Sequence, residues 1–328
     1  MRRKPVIGVV VAALVVSASH ITGQEQRATT ARAVLWSDPG DVATRDLFWG
    51  PGSADRAPQP PLTFVEEDTG GTKPKVVVRD AVGTTWNVKF AGPTPANNEV
   101  HAEIAASRIA WAFGYAVEEH YYVAEGVIDG VKGLRRAARA VDANGRFTVA
   151  RFERQDPSMK RTGRNWSLTS NPFKDTQELS GLMLVLALVN NWDTKTSNLS
   201  VFQRSTGDGA IDDVYLVSDF GSSFGRMGPM ALLASRNRWS LEDYRKEPFV
   251  EGVDDESLNI NHKGDVTIYE VPIEHARWFA GLAARLTANQ VRRAFEASGA
   301  SPEEVSGFTD RLMAKLNELQ QAVTANNK

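Results

Sequence analysis

The sequence of 328 residues contains no cysteine. This absence excludes a disulfide framework, a thiolate nucleophile, a cysteine-ligated zinc site and a lipidated cysteine anchor. The formal net charge is only −2, so we expect no bulk electrostatic attraction to nucleic acid or to a membrane surface. The histidines show no metal-binding spacing such as H-E-x-x-H. No internal repeat or low-complexity tract is evident, so the chain is expected to fold as an ordinary globular protein.

The N-terminus has the features of a secretory signal peptide. Three basic residues at 2–4 precede the apolar run VIGVVVAALVV at 6–16, and small residues follow at 17–19. The apolar run is shorter than the about 20 residues that a membrane-spanning helix needs. We therefore expect a signal peptide over 1–23 and an exported protein, periplasmic or secreted, with no stable membrane span after its removal. An uncleaved N-terminal anchor is the alternative.

Residues 24–61 are rich in Gly, Pro, Asp and Ala and show little periodicity. This composition predicts a loosely ordered lead-in. Trp36 and Trp49 are its candidate docking residues, because they are the largest apolar side chains in the stretch.

Residues 62–154 are predicted to form an α+β unit. LTFVEED, KVVVRD and TTWNVKF have the β-branched and aromatic content of strands, and the last two are expected to form a hairpin. A helix with an apolar stripe should begin at Asn97-Asn98, just after Pro95, and end at Gly114. HYYVAEGVI and RFTVARFER are two further predicted strands.

Residues 155–328 differ in composition from the part before them. The stretch 155–175 is polar and turn-rich, and we interpret it as a link between two lobes. Residues 176–192 are apolar around the whole helical circumference, which predicts a central buried helix. NLSVFQ and DVYLVSDF are predicted strands, and the C-terminal part is expected to be helical, with a capping box at the start of its last helix.

One acid and one asparagine follow the predicted buried helix, and a second acid stands at the end of the predicted strand DVYLVSDF. Asp193 and Asn198 stand in DTKTSN, and Asp219 stands in SDFG at the end of an apolar strand. Magnesium prefers hard oxygen ligands and is usually held by one or two carboxylates together with phosphate oxygens. A separate carboxylate must orient the attacking hydroxyl in phosphoryl transfer. These residues therefore predict a magnesium–nucleotide site.

A lysine and a glutamate upstream complete the predicted constellation. Lys89 ends the hairpin strand in WNVKF, and Glu103 lies on the next helix with Glu99 one turn earlier on the same face. A lysine that is held by a helix glutamate can contact nucleotide phosphates as a fixed point charge.

The combined pattern resembles the protein-kinase superfamily. DTKTSNL at 193–199 is similar to the catalytic loop of serine/threonine kinases at its Asp, Lys, Asn and Leu. The usual His-Arg pair before the aspartate is replaced by Asn191-Trp192, and no A-P-E sequence is present. These departures, with the long spacing between Asn198 and Asp219, point to an atypical branch.

Three atypical kinase families share further features with the chain. NEVHAEIAASRIAWAFGY resembles the helix of secretory-pathway casein-type kinases and of HipA-type kinases, where the pairing position favours Glu103 over Glu99. RFER resembles the adenine-binding segment between the lobes of HipA-type kinases, and NNWD with SDFGSSFG is similar to type II phosphatidylinositol 4-kinases. The resemblance implies an α+β, two-lobed protein-kinase-like fold, with a small β-rich N-lobe carrying one helix (62–154) and a larger, mainly helical C-lobe (155–328).

The resemblance implies ATP and Mg as cofactors and assigns the residues that bind the nucleotide. Lys89 would contact the α- and β-phosphates, and Glu103 would hold its ammonium group. The glycine-rich loop has no G-x-G-x-x-G sequence and is placed in EEDTGGTKPK. The further cofactor-binding candidates are Gly70, Gly71, Phe152, Glu153 and Arg154.

The resemblance also assigns the chemical roles. Asp193 would orient the acceptor hydroxyl, and Lys195 would neutralise charge near the γ-phosphate. Asn198 and Asp219 would bind magnesium. A Ser/Thr hydroxyl of a protein is the favoured acceptor because Lys195 matches the serine/threonine loop, and a lipid or small-molecule alcohol remains open.

A serine hydrolase is an alternative enzyme reading. Gly221 to Gly225 satisfies G-x-S-x-G, with Ser223 as the nucleophile. An α/β-hydrolase fold needs several βα units before this turn, and the pattern of the N-terminal half does not indicate them. The candidate partners of the serine are His262, His275, Asp243 and Asp254.

A second alternative is an exported pseudokinase, which would bind a nucleotide and act as an interaction module. ATP is expected to be scarce outside the cytoplasm, which favours this reading. The presence of all the acids and of the lysine argues against it.

Overall fold

Residues 31–61, expected to be a loosely ordered lead-in, instead pack against the rest of the chain. The computed structural model describes residues 31–92, 99–207, 209–228 and 236–325. A first strand, β1 (Arg32–Val34), pairs in parallel with Ile211–Val217, and Leu35, Val42 and Leu47 are buried in the main core. These anchors are isolated apolar residues, and periodicity cannot detect contacts of that kind. The predicted signal peptide lies outside the described residues.

A closed five-stranded barrel follows. Its strands are β2 (Leu62–Glu67), β3 (Lys75–Arg79), β4 (Thr85–Phe90), β5 (His120–Asp129) and β6 (Arg146–Arg154), in the order β2-β3-β4-β6-β5. The predicted hairpin of β3 and β4 is confirmed, with Lys75 opposite Lys89. Trp86, Val88 and Phe152 belong to a separate apolar cluster that fills the barrel. Because side chains alternate along a strand, Lys89 points to the outer face.

The helix α1 (Glu99–Ala112) lies between β4 and β5. The expected start at Asn97-Asn98 and Pro95 lies outside the described residues. At the other end, Gly114 adopts φ +94°, and a Cβ there would come within 2.2 Å of the backbone oxygen of Ser37. All α1 side chains except that of Trp111 are buried, because the helix contacts both the barrel and the C-terminal helices.

The predicted link at 155–175 contains a strand, β7 (Met159–Asn165). It pairs with β8 (Leu199–Ser205), which pairs with β9 (Ile211–Val217), so that the sheet runs β1-β9-β8-β7. The side chains of β7 are largely exposed, so its composition resembles that of a loop. Backbone pairing alone places it in the sheet. The predicted strands β8 and β9 are confirmed.

Among the described residues after β7 there are five α-helices and a second small sheet. The helices are α2 (Gln177–Leu188), α3 (Leu241–Lys246), α4 (Ile273–Ala283), α5 (Ala288–Ala297) and α6 (Pro302–Ala325). The sheet consists of β10 (Val250–Val253), β11 (Ser257–His262) and β12 (Ile268–Pro272). The predicted central helix is confirmed as α2, whose side chains are mostly buried. The expectation of a mainly helical C-lobe included the strands β8 and β9 but omitted β7 and the sheet β10–β12.

Within the described ranges, no helix combines the length and the apolar character that a membrane crossing requires.

Candidate functional site

Lys89 lies between two glutamates of α1. Its Nζ is 2.9 Å from Oε2 of Glu103 and 3.1 Å from Oε1 of Glu99. The glutamates are one helical turn apart, so the same face of α1 presents both. The sequence favoured Glu103 over Glu99 as the lysine's partner, and both contact it. Burial by itself would lower the pKa of Lys89, but the carboxylates of Asp219 and Glu103 outweigh it and the pKa is raised.

Arg151 holds the other side of Glu103. It lies opposite Lys89 in the β4–β6 register and contacts Oε1 of Glu103. Its second nitrogen, Nη2, donates to Oε2 of Glu153 at 2.7 Å. Burial would raise the pKa of Glu103, but Arg151 and Lys89 outweigh that effect and the pKa is lowered. The sequence analysis missed Arg151, which the strand register brings beside the lysine.

Glu99 contacts three cations that come from separate parts of the chain. Besides Lys89, Nζ of Lys73 lies 2.6 Å from its Oε2, and Nη1 of Arg238 also lies 2.6 Å from that atom. Lys73 belongs to the turn between β2 and β3, and Arg238 precedes α3. Burial would raise the pKa of Glu99, but the attraction of these cations lowers it to about 2. The carboxylate is therefore ionised at neutral pH.

Asp219 stands two residues after the end of β9 and faces the same lysine. Its Oδ2 is 4.0 Å from Nζ of Lys89, and its Oδ1 accepts from the backbone N of Gly221 at 2.8 Å. Burial raises the pKa of Asp219 against the opposing attraction of Lys89. Its side chain is still 31% exposed, so the carboxylate can reach a ligand in the cleft.

The loop between α2 and β8 carries Asp193, the acid that was predicted to orient the acceptor hydroxyl. The backbone N of Asp193 donates to Oδ1 of Asn191 at 3.1 Å, and Nδ2 of Asn198 donates to the backbone oxygen of Asp193 at 2.9 Å. Nζ of Lys195 is 2.8 Å from Oδ1 of Asp193. These bonds fix the loop conformation and leave the Asp193 side chain partly exposed.

Two further hydrogen bonds join this loop to Asp219 and its neighbour Ser218. Nδ2 of Asn191 donates to the backbone oxygen of Asp219 at 3.3 Å, and the backbone N of Ser218 donates to the backbone oxygen of Asn198 at 2.9 Å. The loop and Asp219 therefore lie at the same end of the paired strands β8 and β9. The loop that carries Asp193 is thus hydrogen-bonded to the segment that carries Asp219.

Asp265 also contacts the loop, and the sequence analysis did not single it out. Its backbone N donates to the backbone oxygen of Trp192 at 2.9 Å, which brings its carboxyl group close to that of Asp193. Burial raises the pKa of Asp265, and Asp193 raises it further. Arg236 donates to Oδ1 of Asp265 at 2.9 Å. The surrounding K-G-D-V matches no catalytic pattern, so only the fold reveals this pairing.

A cavity of about 840 Å³ is lined in part by residues of β4 and β6, and its lining includes neither Lys89 nor Asp219. Glu153 and Arg154 line it, as does Asn87, whose Nδ2 donates to Oε1 of Glu153 at 3.0 Å. Phe152 differs from the expectation, because its side chain is fully buried in the barrel core and its backbone pairs with both neighbouring strands. Two of the three residues predicted to bind adenine thus reach this cavity.

The predicted glycine-rich loop is the turn between β2 and β3. Gly71 adopts φ +67°, which favours glycine. Arg136 donates to the backbone oxygens of Thr69, at 2.8 Å, and of Gly71. A Cβ on Gly70 would lie near Asp68 and Lys75, and one on Gly71 would have no described neighbour within 4 Å, so the turn reaches the site through the contact of Lys73 with Glu99.

The serine-hydrolase interpretation finds no support. Ser223 is fully buried, and its Oγ has no hydrogen-bond partner among the described residues. The two candidate histidines bond elsewhere: Nδ1 of His275 lies 2.9 Å from Oγ of Ser180, and Nε2 of His262 lies 2.7 Å from the backbone oxygen of Asn191. Ser223 therefore has neither a base nor access to a substrate.

Comparison with known proteins gives distant similarities only. No protein-family model matches the chain, and no curated protein matches its sequence. Among solved structures, it is similar to the proinflammatory kinase CtkA of Helicobacter pylori, with 12% identity and a TM-score of 0.43, over 80% of this chain and 95% of that one. It is also similar to the Rio2 kinase of Chaetomium thermophilum, solved as an ADP/Mg²⁺-phosphoaspartate complex, with 12% identity and a TM-score of 0.32, over 79% and 72% of the two chains. Both TM-scores are below 0.5, so neither similarity decides an activity.

Proposed function

We propose that this protein is an ATP- and magnesium-dependent phosphotransferase of the protein-kinase-like type, acting on a hydroxyl acceptor. One observation carries the proposal: Lys89 is fixed by Glu103 at 2.9 Å, with the partly exposed carboxylate of Asp219 at 4.0 Å. A rigid cation beside an accessible acid matches the requirement of phosphoryl transfer, where positioning and charge stabilisation supply most of the catalysis.

Lys89 binds the phosphates in this proposal. Glu103 holds its ammonium group in place, and Arg151 in turn fixes Glu103, so little ordering is needed when a phosphate arrives. The cavity that adjoins Asn87 and Glu153 accepts the nucleoside. Asn87 lies two residues from Lys89 on β4, which corresponds to about 7 Å along a strand.

Asp219 and Asn198 are the proposed magnesium ligands, and their chemistry fits the ion. Both offer hard oxygen atoms, as magnesium requires. Oδ1 of Asn198 has no donor within the described ranges, whereas the carboxylate of Glu103 already contacts Lys89 and Arg151. When bound, magnesium would offset the negative charge of the phosphates.

Asp193 orients the acceptor hydroxyl and accepts its proton. Lys195 keeps the carboxylate of Asp193 in position at 2.8 Å and brings a positive charge toward the transferred phosphoryl group. We favour a protein serine or threonine as the acceptor, because Lys195 stands two residues after Asp193 as in serine/threonine kinase loops. A lipid or small-molecule alcohol is the other acceptor class.

Nucleotide-dependent thermal stabilisation tests the nucleotide and metal parts of the proposal. ATP with magnesium should raise the melting temperature of the wild-type protein more than ATP with a chelator does. Asp219→Asn should lose this magnesium-dependent increment. A surface variant, Asp254→Asn, is the matched control and should behave as the wild type. An unchanged increment in Asp219→Asn would remove Asp219 from the metal site.

We also propose export, on the basis of residues 1–23 alone. A reporter fused behind this segment should be recovered outside the cytoplasm. Replacing the three basic residues at 2–4 and part of the apolar run at 6–16 with polar residues should retain it inside. Retention of the unaltered fusion in the cytoplasm would contradict the proposal.

A further inference from the structure

Glu99 lies where three cations from distant parts of the chain converge. Lys89 comes from strand β4, Lys73 from the β2–β3 turn and Arg238 from the segment before α3. The shortest contacts, both 2.6 Å, join Oε2 of Glu99 to Lys73 and Arg238. Three positive groups thus share the single negative charge of one carboxylate.

Such a convergence suits a phosphate better than a carboxylate. A phosphate group offers more oxygen atoms and more negative charge, and arginine and lysine are the side chains that proteins use to bind it. Lys89 does not depend on Glu99, because Glu103 contacts it at 2.9 Å. Lys73 and Arg238 have no such second acid among their ion pairs in the described part of the chain.

The carboxylate of Glu99 also lies beside the proposed metal ligand. One carboxylate oxygen of Glu99, one of Glu103 and one of Asp219 all lie within 4.8 Å of one another. A Cβ on Gly221 would come within 2.3 Å of Cγ of Glu99, so the glycine permits this close approach. The Glu99 side chain thus occupies space directly beside Asp219, where nucleotide phosphates are expected.

The ring of Trp192 places Arg238 next to the catalytic loop. The guanidinium carbon of Arg238 lies 5.4 Å from the centre of this ring, within cation–π range. Trp192 immediately precedes Asp193. Arg238 is therefore fixed between the loop and the helix α1, on the side where a phosphate would be transferred.

We propose that Lys73 and Arg238 are two further phosphate-binding residues, and that Glu99 competes with the nucleotide phosphates for them. This inference rests on the proposed function, because it concerns the phosphates of the same nucleotide. Binding requires Glu99 to release both cations, while Glu103 keeps Lys89 in place. Glu99 thereby sets the nucleotide affinity of the site.

Isothermal titration of the full-length protein with ATP and magnesium tests the competition. Glu99→Gln removes the competing charge and should bind ATP about tenfold more tightly, whereas Lys73→Ala and Arg238→Ala should each bind about tenfold more weakly. Lys246→Ala and Arg293→Ala are matched controls. Lys246 pairs with Glu242 and Arg293 with Glu296, so both should keep the wild-type affinity. Thermal unfolding of each variant checks that it is folded.

Weaker ATP binding by folded Glu99→Gln would overturn the inference, because Glu99 would then position Lys89 and not compete with phosphate. Wild-type affinity in Lys73→Ala and Arg238→Ala would overturn it as well. In both cases wild-type binding survives, so the proposed function stands. Absence of ATP binding in every protein tested would instead refute the proposed function, and the competition with it.

Discussion

The ammonium group of Lys89 and the carboxylate of Glu103 form a buried ion pair at 2.9 Å. The Glu103 side chain is 1% exposed and the Lys89 side chain 10%. Two charges are costly to remove from water, and an ion pair of this kind is retained only when its partners are well satisfied. Arg151 supplies the additional partner that Glu103 needs. The pair therefore links the stability of the protein to the geometry of its candidate site.

Glu103 has two cationic partners, Lys89 and Arg151. Replacing Glu103 and replacing Lys89 should therefore lower the free energy of unfolding by different amounts. Glu103→Gln leaves both Lys89 and Arg151 without their shared anion and should lower the free energy of unfolding by about 3–5 kcal/mol. Lys89→Met leaves Glu103 paired with Arg151 and should cost only about 1–3 kcal/mol. Chemical denaturation measures both. Equal costs, or a larger cost for Lys89→Met, would contradict the network described here.

Asp193→Asn should slow phosphoryl transfer without weakening ATP binding. In the proposed function Asp193 meets the acceptor hydroxyl, and the proposed phosphate-binding residues lie elsewhere. We expect kcat to fall by about 10²- to 10⁴-fold with the KM for ATP unchanged. Steady-state kinetics with a hydroxyl-bearing substrate gives both constants. A rise in KM for ATP with unchanged kcat would place Asp193 in nucleotide binding instead.

Lys315 is a buried lysine of α6 that contacts the loop between α2 and β8. Its Nζ donates to Oδ1 of Asn190 at 2.6 Å, and Nδ2 of Asn190 donates to the backbone oxygen of Gly225 at 2.7 Å. Burial lowers the pKa of Lys315 well below its ordinary value. Lys315→Met keeps the volume but leaves Oδ1 of Asn190 unpaired, so we expect a loss of about 1–3 kcal/mol in the free energy of unfolding.

The matched control for this prediction is Lys246→Met, at an exposed lysine that pairs with Glu242. It should leave the free energy of unfolding nearly unchanged. Equal stability of the Lys315→Met and Lys246→Met proteins would show that the contact between α6 and the loop contributes nothing to the free energy of unfolding.

The protein should lose stability in mild acid because His262 is buried. Burial, with a smaller effect of Arg236, lowers its pKa from 6.5 to about 4. The unfolded chain therefore binds a proton that the folded protein rejects, and stability present above pH 6.5 is lost as the pH falls toward 4. This group contributes up to about 3 kcal/mol over that range.

Chemical denaturation at a series of pH values measures this effect. His262→Gln should flatten the pH dependence between 6.5 and 4, although its stability at pH 7 will be lower. His275→Gln, at a partly exposed histidine of α4, should retain the wild-type slope. An unchanged slope in His262→Gln would contradict the assignment.

The sequence predicted the elements that carry the site because their signals are local. The β-branched residues around Lys89 predicted the β3–β4 hairpin, and the uniformly apolar stretch after 176 predicted α2. The choice between Glu99 and Glu103 could not be made from spacing, since residues one turn apart share a helix face. Both contact Lys89, and they differ in their other partners.

The contacts that cross the chain were not predictable in this way. Arg238 meets Glu99 across 139 residues, and Asp265 meets Asp193 across 72. No periodicity or turn signal links such positions. The strand β7 was missed for the opposite reason, because its polar side chains resemble those of a loop while its backbone pairs with β8. Only the assembled fold reveals these relationships.

Transfer of the labelled γ-phosphate of ATP is the most direct test of the central claim. The purified wild-type protein, incubated with ATP, magnesium and a mixture of hydroxyl-bearing acceptors, should transfer label to an acceptor or to itself. Asp219→Asn and Asp193→Asn should reduce this transfer to background, while Asp254→Asn should retain it. No transfer by the wild type, with ATP binding intact, would identify a pseudokinase. Transfer at the wild-type rate by Asp219→Asn would contradict the site itself.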